Sequence, residues 1–132
     1  MNKVFIIGKI DLSLVDGNFK RAQELAKENE VYVLTLIASK EMAALLEAAF
    51  DEYAIKTDYL LQMPRPNKDV ISMAEEHAFI NLCLKAIQLE KPQTIYLVDD
   101  GRSYMNANIR AKIESHAKHL DAKLLDNSQG VG

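Results

Sequence analysis

Cysteine is almost missing from this chain: Cys83 is the only one in 132 residues, so no intrachain disulfide forms and no cysteine cluster can hold a metal. There is no tryptophan, and three prolines and five glycines are spread thinly, without an internal repeat or a low-complexity tract. Neither sign of charge dominates. Sixteen Lys plus Arg stand against nineteen Asp plus Glu, a net charge of -3, which removes the electrostatic drive toward nucleic acid or an anionic membrane surface. No stretch approaches the ~20 consecutive apolar residues of a membrane span, and the first ten residues lack the pattern of a secretory signal. The expectation is a cytoplasmic protein with no membrane, metal or cofactor requirement.

What the chain does have is 48% hydrophobic and 27% charged residues. A chain of this size buries roughly two-thirds of its extended surface, enough for one self-supporting domain. Residues 1–125 read as that domain and 126–132 as a flexible tail. The apolar runs at 4–7, 31–38 and 94–98 are short and continuous, as in strands covered on both faces. Shorter strands are predicted at 59–61 and 123–125. Between them lie helical patterns. Phe19, Ala22, Leu25 and Ala26 share one face after a turn at 16–18, and Met42, Leu45, Leu46, Ala49 and Phe50 form a stripe after an N-cap at Ser39. Glu41, Glu47, Asp51 and Glu52 lie opposite that stripe. Val70, Met73, Ala74, His77, Ile80, Leu84 and Ile87 follow helical steps from a cap at Asn67 or Asp69 to the stop at Pro92. Met105, Ile109, Ile113 and Ala117 repeat every four residues within 104–119. Strands and helices alternate throughout, which predicts an α/β three-layer sandwich with a five-stranded, mainly parallel sheet, flavodoxin- or Rossmann-like.

Ligands in such sheets bind at the carboxyl ends of the strands, where the strand order reverses. The chemistry therefore belongs to the segments that follow strands. Asp99, Asp100, Gly101, Arg102 and Ser103 sit between the fourth strand and the last helix. Gly101 permits close backbone approach, Arg102 and Ser103 suit a phosphate or sugar hydroxyl, and the two carboxylates suit ribose hydroxyls or a base amino group. The same residues also make an ordinary turn with an N-cap. Gly8 and Lys9 follow the first strand and are placed to form the opposite wall, although for Lys9 alone a solvated lysine is the simpler reading. There is no Walker A loop and no G-x-G-x-x-G fingerprint. His116 and His119 are three apart with no evident third ligand, His77 reads as a core-edge histidine, and Cys83 reads as a buried, unactivated thiol. Residues 101–123 carry net +3 and residues 41–59 net -4, an asymmetry compatible with homo-oligomer formation or with a solvated surface.

In its order of elements the chain resembles the nucleoside 2-deoxyribosyltransferase-like superfamily. The likeness rests on Lys3, Val4, Phe5, Ile6, Ile7 and Gly8 as the opening strand and glycine, on the helix from Phe19 to Leu25, and on Tyr96 to Gly101 as the late strand and ligand loop. The resemblance implies a nucleoside or nucleotide site at the carboxyl edge and a glutamate nucleophile early in the last helix. That place falls near Asn108, within a stretch that includes Asn106, and Lys9 replaces the family's proline. Asn cannot form a glycosyl ester but can hydrogen-bond a sugar. The leading expectation is thus binding of a nucleoside, nucleotide or nucleotide-derived small molecule by Gly8, Lys9, Asp99 to Ser103, Asn106 and Asn108. The alternatives are an N-glycosidic bond hydrolase or transferase using Asp100 or Glu114, and a non-catalytic interaction subunit.

Overall fold

The structure is a computed structural model that describes residues 2–8, 17–37, 39–62, 72–98 and 107–126. Nine elements alternate in order: β1 (Lys3–Gly8), α1 (Gly17–Leu25), β2 (Glu30–Ile37), α2 (Lys40–Asp51), β3 (Lys56–Gln62), α3 (Met73–Glu90), β4 (Thr94–Val98), α4 (Ala107–His119) and β5 (Lys123–Asp126). The five strands form one sheet in the order β3-β2-β1-β4-β5. Every neighbouring pair is parallel. The chain winds outward from β1 to β3, then returns through α3 to the other side of β1. Because parallel crossovers are right-handed, that reversal puts α1 and α2 on one face and α3 and α4 on the other.

Side-chain alternation along the strands feeds both layers. Val4, Ile6, Val31 and Val33 pack with Ala22, Leu46 and Phe50 on the α1/α2 face. Phe5, Ile7, Tyr32, Leu34, Ile95 and Leu97 pack with Phe79, Cys83, Ile87, Ile109 and Ile113 on the other. This two-sided burial is why β1, β2 and β4 read as unbroken apolar runs. β3 is an edge strand, and its polar Lys56, Thr57 and Asp58 hid its first half from the sequence reading.

Helix boundaries and faces differ from expectation in three places. Ser39 caps α2 as predicted, its hydroxyl accepting from the Met42 amide, but only Leu46 and Phe50 of the predicted stripe are fully buried. Met42 and Leu45 are 44% and 60% exposed, because two residues per two turns suffice to cover the narrow strip of sheet under this helix. The cap of α3 is Ser72, not Asn67 or Asp69, both of which lie outside the described residues. Ser72 and Glu75 exchange backbone and side-chain bonds in a capping box, two orphan amides satisfied at once. The buried face of α3 is Phe79, Ile80, Cys83, Ala86 and Ile87; Met73 is 74% exposed and His77 is exposed. Ile80 and Ile87 are buried as expected, and because α3 packs beside α4 as well as on the sheet, Phe79, Cys83 and Ala86 complete its buried face. α4 buries Ile109, Ile113 and Ala117 as expected; Met105 and the residues 127–132 of the expected tail lie outside the described residues.

Candidate ligand site at the carboxyl edge of the sheet

β1 and β4 are neighbours, yet the connection after β1 leads to α1 on one face and the connection after β4 leads to α4 on the other. This is the switch point, the place where open α/β sheets of this kind leave a crevice above the strand ends. Both strands end level, with Gly8 registered against Val98. Gly8 has φ +137°, and a Cβ placed on it would lie 2.5 Å from the Val98 carbonyl oxygen and 2.9 Å from the Val98 Cβ. Any side chain here would both strain the backbone and push the two strand ends apart. The glycine is dictated by the close approach of the two strand ends.

On the α1 side, Arg21 stands one helical turn below the start of α1 and lies over Tyr96, its guanidinium carbon 5.7 Å from the ring centroid. Tyr96 belongs to β4, two residues before its end. The pair thus spans from α1 to β4 beside the strand ends, and a guanidinium stacked on an aromatic face is held in place. Sequence reasoning missed Arg21. Its only signal was a position one turn into the helix that follows the first strand.

Of the expected site residues, Gly8 is at the switch point. Asn108 is in the first turn of α4, but its Nδ2 donates to Glu76 Oε2 at 2.9 Å, which ties α4 to α3. It is therefore engaged between the helices. Glu114 is half-buried and stands seven residues into α4, about 10 Å along the helix from its first residue. Lys9, Asp99, Asp100, Gly101, Arg102, Ser103 and Asn106 lie outside the described residues. His116 and His119 occupy the last turn of α4, where positive charge suits the helix dipole. Among the described residues no group of three or more His, Cys, Asp and Glu could hold a metal ion. Cys83 is buried, and burial pushes its thiol well above the ordinary range.

A cluster of mutually perturbed groups lies at the opposite, amino edge. Glu90, in the last turn of α3, accepts from Lys3 Nζ at 2.8 Å, from the Tyr32 hydroxyl at 3.1 Å and from the Tyr59 hydroxyl at 2.6 Å. The hydrogen bond from Lys3 leads, followed by that from Tyr59, in holding its carboxyl down at about 2. Burial first and the Glu90 bond second push Tyr59 up to about 12 and Tyr32 higher still. A carboxylate so fully satisfied and so acidic has no proton to exchange at neutral pH, so the cluster is a clamp that joins α3 to three strands.

No protein-family model matches the chain, and no curated protein matches it. Among solved structures, the C-terminal domain of a hydrogenase from Pyrococcus furiosus is similar over 95% of this chain and 90% of that one, with 12% identity and a TM-score of 0.56. UDP-GlcNAc 2-epimerase from Neisseria meningitidis, bound to UDP-GlcNAc, aligns with 96% of this chain and 32% of its own, with 16% identity and a TM-score of 0.47. At such identities the hydrogenase-domain likeness shows a fold and nothing finer. The chain is an α/β domain of Rossmann-like architecture. No described helix is long and apolar enough to cross a membrane.

Proposed function

We propose that this protein binds a nucleoside, nucleotide or nucleotide-derived small molecule in the crevice between the carboxyl ends of β1 and β4. The observation that carries the reading is the switch point itself, with Gly8 clearing the floor against Val98. Open α/β sheets place their ligands where the winding reverses, and Arg21 stacked on Tyr96 supplies a fixed cation beside that place. Lys9 and the run from Asp99 to Ser103 leave from the two strand ends that frame the crevice, which suits them to phosphate and sugar hydroxyls. Binding is favoured over glycosyl transfer, because the position expected for the nucleophile carries Asn108, bonded to Glu76, and Glu114 is two turns down the helix.

Isothermal titration calorimetry of the folded protein against nucleosides and their mono- and diphosphates tests this. Saturable binding of at least one compound, weakened in Arg21→Ala, is the expected result. A folded sample that gives no binding heat with any of them rejects the reading.

A further inference from the structure

We infer that the groove between α3 and α4 is a second binding site, for a small amphiphilic anion: a carboxylate or phosphate monoester on a short apolar body. This inference does not rest on the crevice between β1 and β4. The groove is a cavity of about 340 Å3 lined by His77, Ile80, Asn81, Leu84, Asn108 and Lys112. That is the small end of ligand sites and holds roughly eleven waters at liquid density.

The lining residues divide by chemistry. Ile80 is 6% exposed and Leu84 half-buried, and together they make an apolar floor. His77 and Asn81 stand one turn apart on α3, and Lys112 stands one turn after Asn108 on α4, so four polar side chains border the floor from two helices. Among the described residues that line the cavity there is no carboxylate. The side chains of His77, Asn81 and Lys112 make no hydrogen bond or ion pair with any other described residue. Asn108, by contrast, is fixed, since its amide donates to Glu76. That bond leaves its carbonyl and second amide proton to the groove, with the Glu76 carboxylate behind it and outside the described lining.

A bare cation meets no counter-charge among the described lining residues, and a purely apolar ligand would strip water from four polar groups without replacing their bonds. An anion with an apolar tail satisfies both halves. Lys112 and the His77 and Asn amides receive its oxygens, while the tail covers Ile80 and Leu84. Carboxylate and phosphate heads share this chemistry.

The test is a titration followed by backbone amide NMR, with hexanoate and hexyl phosphate as the two anionic probes, hexylamine as the cationic control and inorganic phosphate as the head without a tail. Saturable shifts at residues 77–84 and 108–112 are expected with at least one anionic probe. In Lys112→Glu that affinity should fall about tenfold or more, whereas Lys118→Glu, the same charge change on an exposed position of α4 outside the groove, should change it less than about twofold. Both positions are exposed, so both variants fold. The inference is overturned by an absence of saturable shifts in the groove up to about 10 mM of either anion. Equal binding of hexylamine, an equal effect of the two charge reversals, or inorganic phosphate binding as tightly as hexyl phosphate overturns it too. The first two remove the anion and the last removes the apolar floor.

Discussion

Replacing Glu90 with Gln should cost far more stability than a half-exposed surface carboxylate normally does, and the loss should depend on pH in a defined direction. One carboxylate receives Lys3, Tyr32 and Tyr59, and the rings of Phe5, Tyr32 and Tyr59 pack around it with centroids 5.4 to 6.3 Å apart. Gln preserves the shape but removes the charge, leaving two half-buried phenols sharing a neutral oxygen. The carboxyl falls from an ordinary 4.5 to about 2 on folding, which bounds its contribution at neutral pH at about 3 kcal/mol. The Glu90 and Lys3 side chains are 17% and 32% exposed, and solvent screening brings the expected loss to about 2 kcal/mol. With a lowered folded pKa, this stability is present above pH 4.5 and disappears as the pH falls toward 2. Urea unfolding at pH 7 should therefore show a midpoint about 1–1.5 M lower in Glu90→Gln than in the parent. At pH 2 the two midpoints should converge. A pH-independent difference between them, or no difference at pH 7, would refute the charge-based account of the clamp. On the alkaline side the sign reverses. Lys3 and both tyrosines have raised folded pKa values, so their stabilisation holds below pH about 10 and is lost as the pH rises further.

Gly8→Ala should destabilise the fold by about 2–4 kcal/mol, since the new methyl combines positive-φ strain with a 2.5 Å approach to the Val98 carbonyl; thermal unfolding reads this, and a change under 0.5 kcal/mol would contradict the geometry. Ser72→Ala should cost about 1 kcal/mol by breaking the capping box of α3, whereas Met73→Ala next to it, being 74% exposed, should cost less than about 0.5 kcal/mol; reversed magnitudes in denaturant titrations would place the helix start wrongly. Cys83, buried with its thiol pKa pushed up, should react with a thiol reagent at a rate set by unfolding. Fast labelling of the folded protein at pH 7 would show that residue to be accessible.

How much of this was legible in the sequence depends on how local each cause is. The strands at 4–7, 31–37 and 94–98 announced themselves because helices cover them on both faces, so all but Thr35 and Thr94 are apolar. β4 appears at its predicted bounds for that reason. The stripe on α3 was legible only in part: Ile80 and Ile87 are buried as the spacing predicts, but Phe79, Cys83 and Ala86 join them and His77 is exposed. Its burial is set by α4 as well as by the sheet, and a neighbour 30 residues away leaves no mark on the spacing within 73–90. The same holds with greater force for the polar features. Gly8 was legible as a strand end with room for a ligand, but its +137° φ and its clash distance depend on Val98, which the sheet order alone brings alongside. Arg21 meets Tyr96, Asn108 meets Glu76, and Lys3 meets Glu90 across separations of 75, 32 and 87 residues, each through the reversal that returns the chain from β3 to β4. One topological event therefore creates the crevice, the α3/α4 groove and the amino-edge clamp together. If the clamp is what holds that return path in register, Glu90→Gln should loosen amide-exchange protection of α3 and its neighbours β1, β2 and β3 before it affects β5, which touches none of the cluster. Equal loss of protection in β5 would mean that the sheet opens as one unit and the clamp has no special place in it.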